Sequence, residues 1–215
     1  MDQKLNTIRN EIIEVGKRAY SRGFVAANDG NISTRIGKNR ILITPANMSK
    51  GFMKNNDLII VDIKGNVVEG KKKPSSEMRL HLQIYQNRSD VMSVCHLHPP
   101  YATTFAVAGI PLDQPYLSEA IISLGSVALV PYGTPGTEEI SRNLSPLRQS
   151  HDVFLLANHG ALTVGKNVFD AYFKMETLEH VAKIIFLAKQ IGSPVLLTAN
   201  QVSQLETIRK KLESK

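Results

Sequence analysis

The sequence lacks the features that mark several common classes of protein. It has one cysteine, Cys95, which excludes an intrachain disulfide. The first residues, MDQKLNTIRNEIIEV, carry charges where a signal peptide needs an apolar stretch. The longest apolar stretches, such as AIISLGSVALV, are too short and too interrupted by glycine to cross a bilayer. We therefore expect a soluble, cytoplasmic protein with no membrane partner.

A nucleic-acid-binding pattern is also missing. The net charge is +7, but the basic residues are dispersed, and the largest cluster, KKK at 71–73, has no interleaved aromatic residues. Such a cluster is typical of a solvated loop. We predict no nucleic-acid partner. The positive field instead favours encounters with anionic small molecules such as a phosphorylated substrate.

The remaining composition is that of a globular protein with a full core. The chain has 215 residues, of which 42% are hydrophobic, and shows no internal repeat, low-complexity tract or long linker. We predict one domain over residues 1–215.

Hydrophobic spacing and turn residues predict strands and helices in irregular alternation. The predicted strands are NISTRIG, RILITP, DLIIVDI, DVMSVCHLH, VALVPY and two strands around the NHG turn of HDVFLLANHGALTVG. The predicted helices cover 3–22, a segment beginning near Ser75 or Ser76, PYATTFAVA, TEEISRNLS, 168–191 and 199–213. This order indicates an α/β sandwich with helices on both faces of a mixed sheet.

Two histidines, His96 and His98, stand one residue apart where an apolar strand ends in two prolines. Side chains at i and i+2 of a strand share a face, so both imidazoles can reach one point. His159 lies where another apolar strand meets a glycine turn. Three neutral imidazoles around a divalent metal leave an open coordination position, which is the catalytic pattern. The alternative is that His96 and His98 are surface or capping residues.

The other three histidines have no such framing. We expect ordinary surface or partly buried positions for them: His81, His151 and His180.

Glu77 follows two serines at a predicted helix N-terminus, where backbone N–H groups favour negative charge. One interpretation is an N-cap serine followed by a first-turn acid. The other makes Ser75 and Ser76 a phosphate cradle and Glu77 an acid or base beside the metal. Both remain open at this point.

A companion anion site is predicted in the segment ANDGNIS. Gly30 allows the backbone to approach an anion closely, and Asn31 supplies an amide donor.

Five short motifs in this order, GNIS, ITP, PSSE, HLH and NHG, resemble the class II aldolase/adducin-head family, and within it most of all the branch that cleaves L-fuculose 1-phosphate. The resemblance runs from about Ile12 to Ile191. It implies a three-layer α/β/α sandwich with a mixed, largely antiparallel central sheet. It also implies a homotetramer with active sites at subunit interfaces.

The resemblance implies a role for each candidate residue. His96, His98 and His159 would hold Zn²⁺, or another divalent metal, and Glu77 would complete the metal shell and then act as the catalytic base. The phosphate-binding residues implied are Gly30, Asn31, Ala46, Asn47, Ser75 and Ser76. The expected activity is reversible cleavage of a phosphorylated ketose, such as L-fuculose 1-phosphate, to dihydroxyacetone phosphate and a short aldehyde such as lactaldehyde.

The chain departs from the family pattern in three places. Aldolases of the family usually have Thr-Gly or Ser-Gly after ITP, whereas this chain has Ala46 and Asn47, and Asn47 can adopt the left-handed backbone of glycine. Tyr116 matches a family tyrosine only with a one-residue shift. The C-terminal segment QLETIRKKLESK has no tyrosine.

Other activities of the same fold remain open. They are a ribulose-5-phosphate 4-epimerase, a methylthioribulose-1-phosphate dehydratase and a sugar-acid-phosphate decarboxylase. The epimerases usually place aspartate at the position of Glu77. A non-catalytic binding module like the adducin head is a further alternative, and the presence of all three histidines and Glu77 argues against it.

Overall fold

The computed structural model describes residues 2–213, and its strands form one eight-stranded sheet. The strands are β1 Asn31–Gly37, β2 Arg40–Ile43, β3 Ile59–Asp62, β4 Val67–Glu69, β5 Ser93–Leu97, β6 Val127–Val130, β7 Val153–Leu156 and β8 Gly160–Gly165. The α-helices are α1 Asp2–Ser21, α2 Met78–Asn87, α3 Pro100–Ala108, α4 Glu139–Leu144, α5 Val168–Ile191 and α6 Ala199–Glu213. Met1, Ser214 and Lys215 of the predicted domain lie outside the described residues.

The sheet order is β4-β3-β2-β1-β5-β8-β7-β6. All neighbouring strands pair antiparallel except β6 and β7, which are parallel. The prediction of a mixed, largely antiparallel sheet is therefore confirmed. The prediction of a single domain stays a prediction. One continuous sheet is consistent with it.

Two apolar cores lie on opposite faces of this sheet and define three layers. One core packs α1, α3 and α5 against it, with members such as Ile12, Phe105 and Tyr172. The other packs α2 and α4, with members such as Leu82 and Ile140. Strand residues alternate between the two cores because successive side chains point to opposite faces.

Local predictions hold best where periodicity is long. Helices α5 and α6 have the predicted bounds, and so does β1. Helix α2 begins at Met78, two residues later than Ser76, because the carbonyl of Ser75 accepts from the Met78 N–H in a turn before the helix. Strand β4 and a π-helix at Ala120–Leu124 were not predicted.

The middle of the sheet brings three chain segments to one edge. Strand β5 ends at Leu97, which pairs with Ala161 in β8, and Asn31 at the start of β1 pairs with His96. His98 therefore lies one residue beyond its strand, and His159 lies just before β8. Sheet register thus places the motifs side by side.

Within residues 2–213, we find no helix with the length and apolar character needed to span a bilayer.

Candidate metal centre

Three imidazoles converge at this edge of the sheet. One ligand nitrogen from each of His96, His98 and His159 lies within 4.8 Å of the other two. The Nε2 atoms of His96 and His98 are 3.2 Å apart, and the three ring centroids are separated by 4.7 to 5.1 Å. The prediction that these residues meet is confirmed, and the interpretation that His96 and His98 are separate surface or capping residues is wrong.

The surroundings of His96 fix which nitrogen faces the cluster. Its Nδ1 lies 2.9 Å from the carbonyl oxygen of Ala161, which can only accept a hydrogen bond. Neutral His96 therefore carries its proton on Nδ1 and presents the Nε2 lone pair to the cluster. A backbone partner of this kind orients metal-binding histidines.

Glycine is required where the His98 ring packs. A Cβ on Gly160 would lie 2.5 Å from His98 Cδ2 and 2.7 Å from the carbonyl oxygen of Leu97. The glycine of the NHG turn therefore makes room for the ring of the HLH motif.

Glu77 faces the same cluster. Its Oε2 lies 3.2 Å from His96 Nε2, and its Oε1 lies 3.2 Å from His159 Nε2. Oε1 is buried, and within the described part of the chain it accepts no hydrogen bond. One carboxylate oxygen is thus directed at the imidazoles without a protein donor.

Asn31 holds the other oxygen of this carboxylate. Its Nδ2 donates to Glu77 Oε2 over 2.9 Å, and the residue is only 2% exposed. The contact joins β1 to the residue that precedes α2. The role of Asn31 as a phosphate donor stays a prediction, and one hydrogen of its amide already serves to orient Glu77.

The four groups shift one another's pKa. Burial acts to raise the pKa of Glu77, but His96, His159 and the Asn31 hydrogen bond outweigh it and hold the pKa well below its ordinary value. Burial, followed by the neighbouring histidines, lowers the pKa of His98 to about 3. Burial, followed by His96, lowers the pKa of His159 to about 4. An ionised carboxylate beside neutral imidazoles is the state that metal binding requires.

His96 differs from the other two histidines. Burial acts to lower its pKa, but the carboxylate of Glu77 outweighs burial and raises it.

Asp29 is a neighbour of the cluster that sequence reasoning missed. Its Oδ2 lies 3.7 Å from His98 Nδ1, on the side of the ring away from His96. A carboxylate that accepts a hydrogen bond from a metal-binding histidine orients the ring, but 3.7 Å is longer than such a bond. The available signal was its place next to Gly30 and Asn31 in the ANDGNIS segment.

The first predicted phosphate-binding residue, Gly30, lies beside the cluster. It adopts φ 73°, and a Cβ there would lie 2.9 Å from both the His96 carbonyl oxygen and Val25 Cγ1. Only glycine fits this close approach to β5.

Ala46 and Asn47 follow the second strand, and their backbone is specialised. Asn47 adopts φ 54°, which confirms that it tolerates the left-handed region. The N–H of Ala46 donates to the carbonyl of Lys73 over 2.9 Å, so it is engaged within the protein. A phosphate role for Ala46 and Asn47 stays a prediction, and the Ala46 amide is not available for it in this conformation.

Ser75 and Ser76 lie directly before Glu77, but neither caps α2. The N-cap position is Glu77 itself, so the interpretation of an N-cap serine is wrong. Ser75 is buried, its N–H donates to the Thr44 carbonyl, and its Oγ accepts from the Glu77 N–H over 3.3 Å. Ser76 is exposed. The phosphate cradle of Ser75 and Ser76 stays a prediction, and the Ser75 N–H is already engaged with the Thr44 carbonyl.

His81 corrects a second expectation, because it is fully buried. It lies one helical turn beyond Glu77, and its Nδ1 is 2.7 Å from Ser33 Oγ, which is 2.8 Å from the Tyr85 hydroxyl. Burial lowers the pKa of His81 to about 3. His151 is partly buried and His180 is exposed, as expected. Tyr116 packs at the edge of the core containing α5.

These residues fit a divalent transition metal. Three neutral imidazoles and one ionised carboxylate form a donor set suited to zinc and to several other metals. The hydrogen bond of His96 leaves its Nε2 lone pair facing the cluster, and Glu77 Oε1 is buried without a donor. Such groups are costly in a protein interior unless a ligand satisfies them.

Comparisons with known proteins find matches that cover most of the chain. Residues 10–186 match the family described as Class II Aldolase and Adducin N-terminal domain. An L-fuculose phosphate aldolase of Methanococcus maripaludis is 37% identical over 179 residues, which cover 83% of this chain and 96% of the relative. A 3-oxo-tetronate 4-phosphate decarboxylase of Haemophilus influenzae is 32% identical over 201 residues, covering 91% and 94%.

A solved structure supports the fold directly. The protein described as L-fuculose 1-phosphate aldolase superposes with a TM-score of 0.88 at 33% sequence identity, covering 96% of each chain.

Proposed function

Because the chain belongs to the class II aldolase and adducin N-terminal domain family, we propose that it is a metal-dependent aldolase. It reversibly cleaves a phosphorylated ketose of the L-fuculose 1-phosphate type to dihydroxyacetone phosphate and a short aldehyde such as lactaldehyde. Support for the substrate comes from the fuculose phosphate aldolases among its relatives.

One observation carries the proposal: three imidazoles and the carboxylate of Glu77 converge on one point. His96, His98, His159 and Glu77 hold the metal, which we propose to be Zn²⁺. When bound, such a cation polarises the substrate carbonyl as a Lewis acid, which requires no Schiff-base lysine.

Glu77 moves the proton in this mechanism. Its pKa lies below the ordinary range, so it is ionised at neutral pH and can accept a proton from the carbon next to the substrate carbonyl. Asn31 holds Oε2 in place, and Oε1 is the oxygen without a protein donor. We therefore assign the accepting lone pair to Oε1, in the state in which Glu77 no longer binds the metal.

The phosphate group lies at the loops beside Gly30, Asn47, Ser75 and Ser76. Hydrogen bonds join Glu77 to Asn31 and to Ser75, and the Ala46 N–H joins the loop after β2 to the carbonyl of Lys73. The positive net charge favours the encounter with this anion. A homotetramer with active sites at subunit interfaces and a cytoplasmic location stay predictions.

The test is a condensation assay with purified protein. Dihydroxyacetone phosphate is offered with a panel of aldehydes, with and without a chelator. We expect a ketose phosphate to form with at least one aldehyde, and chelation to stop the reaction. Absence of product with every aldehyde would reject the aldolase proposal.

A decarboxylase is the second candidate, because a relative of similar coverage is a 3-oxo-tetronate 4-phosphate decarboxylase. The same metal and base would serve it. Release of carbon dioxide from 3-oxo-tetronate 4-phosphate, without condensation of dihydroxyacetone phosphate, decides in its favour.

A further inference from the structure

Lys50 is a buried lysine that the proposed chemistry does not use. It is 1% exposed, although lysine is almost never fully buried unless its charge is paired. Its Nζ donates to the carbonyl of Asn28 over 2.8 Å and to the carbonyl of Met48 over 2.6 Å. Charge-assisted hydrogen bonds of this kind are stronger than neutral ones.

These two carbonyls belong to different loops of the candidate site. Asn28 precedes Gly30 and Asn31 at the start of β1, and Met48 follows Ala46 and Asn47 after β2. The ammonium group of Lys50 is therefore a direct link between the two loops assigned to the phosphate.

Both loops have an unfavourable backbone conformation next to the residue that Lys50 holds. Ala27 adopts φ 46° directly before Asn28, and Asn47 adopts φ 54° directly before Met48. Among the described residues, only one other non-glycine residue, Asn158, has positive φ. Such conformations persist when the surrounding structure imposes them. The two hydrogen bonds of Lys50 contribute to that constraint at both places, together with the Asp29 N–H bond to the Ala26 carbonyl in the first loop.

The charge of Lys50 is retained at neutral pH. Burial lowers its pKa to about 8, and the nearby carboxylate of Asp29 acts in the opposite direction. The ammonium form is therefore still the main form at pH 7.

We propose that Lys50 is a positioning residue for phosphate binding, because it fixes the loops at 27–30 and 46–49 in the conformation that receives the phosphate group of the substrate. This inference rests on the proposed function, since it assigns a role within the same site. It does not place Lys50 in contact with the reacting carbon or the metal.

The experiment compares Lys50→Met with the wild type. A methionine keeps an unbranched stem and removes the ammonium group. Lys64→Met is the matched control, because Lys64 is an exposed lysine in the turn after β3. The measurements are KM and kcat for dihydroxyacetone phosphate in condensation, inhibition by inorganic phosphate, and zinc content.

For Lys50→Met we expect KM and the inhibition constant of phosphate to rise about tenfold, because only part of the free energy of the two lost charge-assisted hydrogen bonds serves to hold the loops ready for phosphate. We expect kcat at saturation to stay within about twofold and zinc content to be unchanged, because a loss of uniform binding raises KM alone. A proportional fall in kcat or loss of zinc would show a general structural role and overturn the proposal. Unchanged KM would overturn it too.

Two further measurements cover the remaining cases. If Lys50→Met does not fold, Lys50→Leu, which also lacks a donor, replaces it with the same expected outcomes. In the wild type, inorganic phosphate should slow amide hydrogen exchange in both loops together, and protection of neither loop or of one alone contradicts the proposal.

A wild type that fails to condense dihydroxyacetone phosphate rejects the proposed function. An active wild type, together with a Lys50→Met variant that has the same KM and the same inhibition constant of phosphate, rejects only the role of Lys50.

Discussion

Strands β5 and β8 carry a cluster of polar side chains at each end, and the two clusters differ in how they are satisfied. At the end near Ser93 and Gly165, Arg88 donates to Asp90, to Asp152 and to two backbone carbonyls. At the other end, the imidazoles and Glu77 face one another with few protein partners.

In the cluster of Arg88, Asp90, Asp152 and Lys174, which we call the closed cluster, the charged groups pair with one another. Lys174 completes it with bonds to Asp152 and to the carbonyl of Val164. A cavity of about 440 Å³ opens beside it, yet the charged groups of Arg88 and Lys174 are committed to protein acceptors. In this protein, the convergence of polar groups without hydrogen-bond partners distinguishes the candidate chemical site from the structural cluster. The volume of the neighbouring cavity does not.

The largest effect is expected when the open cluster, which consists of His96, His98, His159 and Glu77, loses a metal ligand. His96→Ala removes a buried imidazole and should abolish metal retention, with activity falling by at least about a thousandfold because the Lewis-acid chemistry depends on the metal. Elemental analysis of the purified variant measures the metal. A variant that still holds stoichiometric zinc would remove His96 from the ligand set.

Glu77→Gln tests the same cluster without removing an imidazole. We expect the metal to remain bound, and proton exchange at the carbon of dihydroxyacetone phosphate to fall by about 10²- to 10⁴-fold, the range of general-base catalysis. Exchange is measured as the transfer of a hydrogen isotope between the substrate carbon and the solvent. Exchange at the wild-type rate would exclude Glu77 as the base.

Asp152→Asn should lower stability and leave the metal site unchanged, because Asp152 belongs to the closed cluster. Asp152 pairs with both Arg88 and Lys174, so its loss should lower the free energy of unfolding by about 2 kcal/mol. Denaturant unfolding measures the change. We expect zinc content and kcat to match the wild type, and a fall in either would mean that the two clusters are coupled.

We also expect the effect of Asp152→Asn on the free energy of unfolding to depend on pH. Burial acts to raise the pKa of Asp152, but Lys174 and Arg88 outweigh it and lower the pKa in the folded state. The stabilisation is therefore full above the ordinary aspartate pKa of about 3.9 and is lost as pH falls through the folded value. With metal removed by chelator, the stability difference between wild type and Asp152→Asn should shrink on acidification. A difference that is constant from neutral to acidic pH would contradict the assigned cause.

The sequence predicted one cluster and not the other for a physical reason. His96, His98 and Glu77 stand within short motifs, and strand register alone aligns β5 with β1 and β8. Arg88 and Asp152 are 64 residues apart and meet only through tertiary packing. No local pattern distinguishes them from solvated charges.

Backbone detail was also beyond the sequence. The start of α2 depends on where the Ser75 carbonyl and hydroxyl direct their hydrogen bonds, and a serine before an acid is compatible with several registers. The burial of His81 follows from its partner Ser33 on β1, which helix periodicity does not reveal. Helix α5 was predicted in full because its 24 residues contain no glycine or proline, and Asn167 and Gly192 mark its two ends.

Asp29 tests where the open cluster ends, and its effect is expected to be the smallest. Its carboxylate is exposed and lies 3.7 Å from His98 Nδ1, so we expect it to influence the His98 ring without binding the metal itself. Asp29→Asn should weaken zinc affinity about tenfold, in the lower part of the range for such neighbours, as measured by competition with a chelator. The free energy of unfolding of the metal-free protein should stay within about 0.5 kcal/mol of the wild type, as for most surface substitutions. If unfolding changes and zinc affinity does not, Asp29 serves the loop structure, as Asp152 serves the closed cluster, and the open cluster ends at the His98 ring.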